Sequence, residues 1–287
     1  MIRQKVNPKY LILKLIRLAI SYALLIIVAA FAVFPIYYII ITSLSPIPTL
    51  ASVSLKSLIP TTVTLEAYNG ILFHEPFLLW LRNSLILASG TVAISVIVGF
   101  VSGLGLSRLN ISMKKVLIIT IYVMTFFPFT VTVIPLYLMF STLHLVNTYY
   151  GLIIAYSGGN SVFGAYLVKI FLDNIPRDYE EAAMIDGLSR FGAFTRILLP
   201  MSKPIIAFVS LLSFMGAYTD YALANVFISS GNMWTLTLGM YYLAITNRST
   251  LYNVFAAFSV LMGIPIFIIF IVFQKYLTKV YSLSGTK

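Results

Sequence analysis

Long stretches of this chain contain no charged residue, and they constrain its fold more than any other feature. Four of these stretches are bounded by Arg17 and Lys56, Arg82 and Arg108, Lys115 and Lys169, and Arg248 and Lys275. A helix needs about 20 consecutive apolar residues to cross a membrane. Three of the gaps therefore predict one span each. The gap after Lys115 is long enough for two spans and has a polar break at residues 144–150.

These gaps, with the apolar run that follows Lys203, predict six transmembrane helices. Their approximate bounds are residues 18–43, 82–106, 115–140, 150–172, 202–228 and 254–276. Mean hydropathy is +0.98, and charged residues make up 9% of the chain, against about 25% in soluble domains. We therefore expect an all-α polytopic membrane protein with a single domain over residues 1–287. Its largest outside loop is expected at residues 43–80, which are rich in proline and lack a strong helical period.

Lysine and arginine indicate which side of the membrane each connection faces. With the N-terminus inside, the six spans place 16 of the 19 basic residues on the cytoplasmic side, and only Lys56, Arg82 and Arg248 remain outside. Cytoplasmic connections carry this excess in membrane proteins. We therefore expect a multi-pass protein of the plasma membrane with both termini and residues 173–203 in the cytoplasm. The net charge of +11 indicates orientation in lipid rather than nucleic-acid binding.

Several kinds of chemistry are excluded by residue types that the sequence lacks or scatters. Cysteine is absent, so thiolate chemistry and cysteine-ligated metals are excluded. The two histidines, His74 and His144, fall in outward connections without clustered carboxylates, so no metal site is expected. No glycine-rich nucleotide-binding loop is present. A catalytic pair or triad inside the spans is also missing, which argues against an intramembrane enzyme.

One connection concentrates the acidic residues of the chain. Residues 178–187 contain four of its eight carboxylates. Asp178 is predicted to cap a helix, with Glu181 completing a capping box, and Glu180 and Glu181 lie where the helix dipole favours negative charge. Ala182, Ala183 and Gly187 then leave one side with little side-chain bulk. Another surface can approach such a helix closely, whereas an ordinary capped helix would pack on its own protein.

This connection resembles the EAA motif of ABC importer permeases, and the match includes the spacing to a later Leu-Pro. The matching residues are Glu181, Ala182, Ala183, Gly187, Leu199 and Pro200. The rest of the chain resembles the second permease subunit of carbohydrate importers of the maltose type. The segments that carry this resemblance are residues 82–84, 103–108, 147–151, Asp186-Gly187, 214–221, Ile264-Pro265, Phe270 and 274–276. One departure is the C-terminal tail, in which Gly285 is the single glycine.

The resemblance implies a six-helix fold of the type I importer permeases (MetI-like) and a role in transport rather than catalysis. In that family the EAA segment is a coupling helix that docks on a cytoplasmic ATPase. The residues implied in coupling are Glu180, Glu181, Ala182, Ala183, Asp186, Gly187, Leu199 and Pro200. The implied partners are a second permease, an ATPase subunit dimer that binds ATP and magnesium, an extracytoplasmic sugar-binding protein and membrane lipid. No cofactor is expected in this chain.

A carboxylate inside the fifth predicted span marks a second candidate site. Asp220 is the single acidic residue within the predicted spans, and an acid at that depth is expected to face protein or a water-filled path. Tyr218 and Tyr221 beside it suit sugar rings by stacking and hydrogen bonding. These residues predict either a substrate pathway or a structural hydrogen bond to a neighbouring helix. Two further functions stay open. One is a permease for polyamine, phosphate or peptide, and the other is a secondary transporter, although a single intramembrane carboxylate is weak evidence for its coupling-ion sites.

Two further patterns concern helix packing. Ser95, Gly99 and Gly103 recur every fourth residue along the second span, which predicts close contact with another helix. Prolines lie within the third span at Pro128 and Pro135, and others lie in the first and sixth. Proline bends transmembrane helices and frees carbonyl groups that neighbours must satisfy.

Overall fold

A computed structural model describes residues 8–46, 62–246 and 252–284, with side chains over 13–46, 62–245 and 252–276. All regular structure in the described ranges is helical. We number the α-helices in chain order: α1 Pro8–Ser43, α2 Glu66–Asn69, α3 Phe77–Arg108, α4 Lys114–Thr125, α5 Phe129–Thr142, α6 Tyr149–Asp173, α7 Asp178–Ile185, α8 Arg190–Ala193, α9 Leu199–Met201, α10 Lys203–Tyr218, α11 Ala222–Phe227, α12 Leu236–Thr246 and α13 Tyr252–Ser284. Two π-helical segments, Gly70–His74 and Phe194–Leu198, and one 3-10 turn, Gly231–Met233, complete the elements.

Four helices in the described part of the chain are long and apolar enough to cross a membrane by themselves. These are Leu13–Ser43, Phe77–Arg108, Tyr149–Asp173 and Tyr252–Tyr276. Two bent pairs, α4 with α5 and residues 190–201 with α10, raise the number to six if each pair is one span. The predicted multi-pass, all-helical fold is confirmed. Two predicted spans are shorter than the observed helices, since α3 begins at Phe77 rather than residue 82 and α1 begins at Pro8 rather than residue 18.

The third predicted span is not one continuous helix. α4 ends at Thr125 and α5 begins at Phe129, and the two are bent by 103°. Pro128 occupies the N-cap position of α5 in an extended conformation, with φ −61° and ψ 126°. Because proline lacks an N–H and its ring clashes with the preceding turn, the helix stops there instead of curving. Pro135 lies inside α5 without ending it.

The fifth predicted span, residues 202–228, is also wrong as a single helix. α10 ends at Tyr218, and α11 starts at Ala222 after a break that contains Asp220. The connection that follows α11 contains the further helix α12. In the predicted outside loop at 43–80, residues 66–74 are helical and α3 begins within it. Residues 47–61 of that loop lie outside the described residues.

The chain divides into two compact units, Met1–His74 with Asn247–Leu261, and Glu75–Thr246 with Met262–Lys287. In the first unit, hydrogen bonds hold the end of α1. Ser43 Oγ is 2.7 Å from the Tyr68 hydroxyl, and Asn253 Nδ2 donates to the Ser45 carbonyl at 3.2 Å. From Leu13 to Ile40, nearly all side chains of α1 are exposed. The single domain over residues 1–287 stays a prediction.

The second unit is organised by close contact between α3 and α6. A Cβ placed on Gly103 would lie 2.7 Å from the Ala165 carbonyl oxygen and from Val168, and one on Gly99 would lie 3.3 Å from the Ser161 carbonyl oxygen. Gly164 on α6 faces Gly99 in turn. The helices therefore meet backbone to backbone, which confirms the contact predicted from the small-residue stripe. α10 packs across the same pair through Val209 beside Gly164.

One end of this unit is held by asparagine side chains from the segments that carry the subfamily resemblance. Asn83 Nδ2 donates to the carbonyls of Asn232 at 2.8 Å and Trp234 at 2.9 Å, and its Oδ1 accepts from the Tyr149 hydroxyl. Asn147 adopts φ 59°, and its Oδ1 accepts from two backbone N–H groups, those of residues 229 and 230. These amides fix the irregular connection between α11 and α12 to the starts of α3 and α6.

Gly103 offers the sharpest test of the α3–α6 contact. Gly103→Ala places a methyl group against backbone, and overpacking of this kind costs about 1–3 kcal/mol. We expect a lower Tm for the purified protein. Gly105→Ala is the matched control two residues away, because its Cβ meets only Leu109 Cδ1 at 3.9 Å. Equal melting temperatures for the two variants, measured by intrinsic fluorescence in the same detergent, would contradict the packing.

Candidate functional site

The acidic connection between α6 and α10 folds into two short helical segments joined by a tight turn. α7 is followed by Gly187 and then by α8, whose N-cap Ser189 accepts a hydrogen bond from Gly192 N at 3.1 Å. α8 continues directly into the π-helical turn Phe194–Leu198 and α9. Gly187 has φ +91°, a conformation that side-chain-bearing residues rarely adopt. The chain can reverse after α7 because glycine stands at this position.

The predicted capping box at the start of α7 is absent. Arg177, not Asp178, is the N-cap residue, and its side chain makes no capping bond. Its backbone is already helical, and its carbonyl accepts from the N–H groups of Glu180 at 2.9 Å and Glu181 at 3.0 Å. Asp178 is therefore the first helical residue. Three acidic side chains remain in the first turn, where the helix dipole favours them.

Glu180 makes the ion pair that fixes α7. Its Oε1 accepts from Arg108 Nε at 2.7 Å, and the two side chains are 21% and 12% exposed. The same guanidinium donates through Nη1 to the Leu172 carbonyl at 3.0 Å and through Nη2 to the Ile175 carbonyl at 3.1 Å. Arg108 thus connects the end of α3, the end of α6 and the first turn of α7 with one side chain.

Other side chains extend this group, which we call the Arg108 cluster: Ser107, Arg108, Asp173, Arg177 and Glu180. Ser107 Oγ donates to Asp173 Oδ1 at 2.7 Å, and Asp173 Oδ2 also pairs with Lys169 at 2.7 Å. Arg177 Nη2 donates to the backbone carbonyl of residue 107 at 3.3 Å. The last carbonyls of a helix lack partners within it. Here basic side chains donate hydrogen bonds to these carbonyls at the ends of both α3 and α6.

The second half of the connection is held by apolar packing. Leu198 is fully buried in a core cluster with members from α3, α6 and α10, and Phe194, Leu199 and Met201 pack against it. The rings of Phe194 and Phe100 lie 6.2 Å apart. At Ser202 the chain bends by 64° into α10, and Ser202 Oγ donates to the Leu198 carbonyl at 2.7 Å. Pro200 is exposed beside this bend.

The side of α7 that faces away from Arg108 is exposed. Ile185 is 86% exposed, Phe191 on α8 is 74% exposed, and Tyr179 is 54% exposed. Asp178, Glu181 and Asp186 are exposed among them, and the Glu181 carboxylate has no partner in the described part of the chain. We call this the α7 face: Asp178, Tyr179, Glu181, Ala182, Ile185, Asp186, Gly187 and Phe191.

The predicted coupling residues therefore separate into two groups. Glu180, Ala183 and Leu199 point into the protein, with Glu180 in the ion pair and Ala183 buried. Glu181, Ala182, Asp186, Gly187 and Pro200 are exposed. A Cβ on Gly187 would meet nothing within 4 Å in this chain, so its small size is required by the backbone turn rather than by internal packing.

Asp220 lies at the break after α10 and caps α11. Its Oδ2 accepts from Leu223 N at 2.9 Å, from Ala224 N at 3.2 Å and from the Tyr156 hydroxyl of α6 at 2.9 Å. Asp220 was expected inside a helical span, but it precedes Tyr221, the N-cap residue of α11, and its side chain caps N–H groups of the first turn of that helix. The structure thus contains a hydrogen bond to a neighbouring helix, which is one of the two roles that the sequence predicts for this residue. Asp220 remains half-buried.

The two tyrosines beside Asp220 have different surroundings. Tyr218 has no exposed surface, stacks on Phe214 and donates to the Met262 carbonyl at 3.1 Å. It lies in the packed interior and lines no open path in this structure. Tyr221 is half-buried, and its ring lies 4.7 Å from that of Tyr241, which is exposed on α12.

The sequence alone does not predict the contacts that Arg108 and Tyr156 make. Arg108 counts in the sequence as a basic residue and as the end of segment 103–108, which is typical of the subfamily. Tyr156 lies in an apolar run, and no feature of the sequence distinguishes it. A signal for Arg108 does exist in the sequence. A basic residue at the last position of a span is suited to helix carbonyls, but its partners, 64 to 72 residues away, depend on the tertiary fold.

The fold and this connection define an integral membrane component of a transporter, with a helical loop held against its spans. Residues 95–282 match the family described as binding-protein-dependent transport system inner membrane component. The chain belongs to this family and is a permease subunit of the ABC importer type.

Relatives cover nearly the whole chain. It is 30% identical over 275 residues to the galactooligosaccharides transport system permease protein GanQ of Bacillus subtilis (strain 168), covering 95% of this chain and 96% of that protein. It is 30% identical over 294 residues to the maltose/maltodextrin transport system permease protein MalG of Escherichia coli (strain K12), covering 94% and 96%.

A solved structure shares the fold. It is the crystal structure of a bacterial ABC transporter involved in the import of the acidic polysaccharide alginate. A chain of that transporter matches with a TM-score of 0.74 and 23% identity, over 96% of this chain and 99% of that one. The predicted type I importer permease fold is confirmed by this match.

Gly187→Ala tests the turn that ends α7. A residue with a Cβ costs about 1–2 kcal/mol in a left-handed conformation, so the turn should loosen. We expect faster amide exchange at residues 186–188, whose N–H groups donate back to carbonyls of α7. Gly192→Ala on α8 is the control, since its Cβ meets only ordinary contacts from 3.4 Å. Exchange that is the same in both variants would show that the turn does not need glycine.

Proposed function

We propose that this chain is one of two permeases in an ATP-driven sugar importer, and that it transmits ATPase movement through α7. The observation that carries the proposal is the arrangement of α7 itself. One side is tied to α3 and α6 through Arg108, and the other presents exposed apolar and acidic residues. Exposed apolar groups rimmed by polar ones suit a protein interface.

The complex would contain this chain, a second permease, two ATPase subunits and an extracytoplasmic binding protein. ATP and magnesium are bound by the ATPase subunits, and this chain contributes no catalysis. Closure of the ATPase dimer moves α7, and the spans change from inward-open to outward-open while the binding protein releases its solute. Such a two-state element responds to any ligand that favours one state over the other. The family assignment supports this composition.

The α7 face is the proposed ATPase contact. Glu181 and Asp186 offer charge, while Ala182 and Gly187 leave room for a close approach. Ile185 and Phe191 offer apolar surface that would otherwise face water. Glu180, Ala183 and Leu199 act from the inside by holding the helix in place. Pro200 contributes the bend that returns the chain to α10.

The substrate class is proposed to be a sugar. Support comes from the relatives, two of which are named as permeases for galactooligosaccharides and for maltose/maltodextrin. Polyamine, phosphate or peptide is the alternative within the same class of transporter. The half-buried Asp220 and Tyr221, with the neighbouring Tyr241, would contribute to the pathway, and Tyr218 would support them from the packed interior.

The orientation of the chain completes the proposal. The termini and the connection that contains α7 lie in the cytoplasm, on the basis of the distribution of lysine and arginine along the chain. The Arg108 cluster then lies at the cytoplasmic end of α3 and α6, and Asn83 and Asn147 lie at the outer end. Arg108, Lys114, Arg177 and Lys169 all fall on the same side, as the positive-inside tendency requires.

Glu181→Lys tests the proposed function. The charge reversal places a cation at the positive end of α7, which destabilises that terminus by about 1 kcal/mol, too little to unfold the packed spans. We expect the variant to insert normally but to lose retention of the ATPase or stimulation of hydrolysis by sugar-loaded binding protein. Both are measured on the purified complex, together with uptake of labelled sugar into proteoliposomes.

Glu66→Lys is the matched control, because Glu66 is likewise an exposed acid in the first turn of a short helix. It should leave ATPase retention at the wild-type level. Full retention and full stimulation in Glu181→Lys would show that α7 is not the coupling element. Uptake of polyamine, phosphate or peptide in place of sugar would reject the proposed substrate class while leaving the coupling role intact.

Asp220→Asn separates a pathway role from a structural one. Asparagine still caps a helix well, so α11 and assembly should be retained, while the carboxylate is lost. We expect reduced uptake with assembled complex and basal hydrolysis near wild type. Asp220→Ala removes the cap as well and should lower Tm by the equivalent of about 1 kcal/mol. If Asp220→Asn lowers assembly and the complex that does assemble transports normally, the role of Asp220 is structural.

A further inference from the structure

The link between α7 and the membrane helices rests on few contacts. The apolar core cluster under the connection draws members from α3, α6, residues 194–201 and α10, but none of its described members comes from α7. The polar contacts of α7 and its N-cap with α3 are the Arg108–Glu180 pair and the Arg177 hydrogen bonds to the carbonyls of residues 107 and 108. Of these two arginines, Arg108 also donates to the end of α6 and to the residues that follow it, through the carbonyls of residues 172 and 175.

We propose that Arg108 is a positioning residue that passes movement of α7 to α3 and α6 together. This inference rests on the function proposed above and names the side chain through which that coupling acts. Nε of the guanidinium donates to Glu180, and the other two nitrogens donate to the carbonyls of residues 172 and 175. Displacement of α7 therefore cannot leave the ends of α3 and α6 where they were unless these bonds break.

The shape of the guanidinium is what makes this link rigid. Arginine presents its donors in a planar fork, whereas lysine has one flexible ammonium group. In this structure the three nitrogens of Arg108 donate, within 3.1 Å, to acceptors on α6, on the connection that follows it and on α7. Lysine would keep the positive charge beside Glu180, but its single nitrogen cannot occupy the positions of the three guanidinium nitrogens that face these acceptors. Fork geometry and charge are therefore separable by mutation.

Burial determines how strong the link is. Both side chains retain some exposure, 12% for Arg108 and 21% for Glu180, so water and salt screen part of the attraction. Hydrogen bonds between charged groups are nevertheless about twice as strong as neutral ones. The link is thus strong enough to hold α7 in register with α3, and it is too small a share of the packed unit for its loss to unfold the protein.

The test uses four variants of the complete transporter: Arg108→Lys, Glu180→Gln, Glu180→Asp and Arg82→Lys. Arg82→Lys is the matched control, since Arg82 is exposed at the other end of α3. Basal hydrolysis and hydrolysis stimulated by sugar-loaded binding protein are measured per assembled complex, with Tm recorded for each variant. The decisive quantity is the ratio of stimulated to basal hydrolysis, because a merely structural role would lower assembly or Tm without changing that ratio.

We expect the ratio to fall at least about fivefold in Arg108→Lys and Glu180→Gln, the lower end of typical coupling between two sites. Glu180→Asp, which keeps the charge, should retain most of the ratio, and Arg82→Lys all of it. A wild-type ratio in Arg108→Lys would overturn the inference while leaving the proposed function in place. No stimulation of the wild-type complex by any loaded binding protein would overturn both.

Discussion

The close contact between α3 and α6 is the constraint on which the larger unit depends. Gly99 and Gly103 on one helix and Gly164 on the other bring the backbones within van der Waals distance. Helices in lipid gain little from the hydrophobic effect when they associate, so close packing of small residues must supply the stability. With this pair fixed, α10 has a surface to cross, and both ends of the pair become fixed points for the irregular connections.

Polar side chains occupy both ends of that pair because helix ends carry unpaired backbone groups. At one end Asn83 and Asn147 bind the backbone between α11 and α12. At the other end Arg108 and Arg177 bind the last carbonyls of α3 and α6. The same chemistry therefore closes the unit at each side, with amides at one end and guanidinium groups at the other.

Much of the fold could be predicted from the sequence, because charge-free runs, small-residue stripes and basic positions are local features. A bend was expected in the third span, but the complete helix break at Pro128 and the break at Asp220 were not predicted, since a proline can also lie inside a helix, as Pro135 does, and Asp220 was assigned to the interior of a span. The predicted capping box is wrong because the backbone of Arg177 is already helical, so that Asp178 lies inside the helix. The residue type at position 178 does not reveal this. For the candidate site, the motif predicts the segment that contains α7, but it does not separate Glu180 from Glu181, because which carboxylate meets Arg108 depends on how α7 lies against α3.

That separation gives the two adjacent carboxylates different physical tasks. Glu180 lies partly buried on a guanidinium that also holds α6, so its position is set by the membrane helices. Glu181 follows it in the chain but points to the exposed side, where no described residue of this chain pairs with its carboxylate. Successive residues on a helix are about 100° apart, so one short helix can carry both tasks. A force applied at the exposed side thus acts one residue away from the bond that connects α7 to α3 and α6.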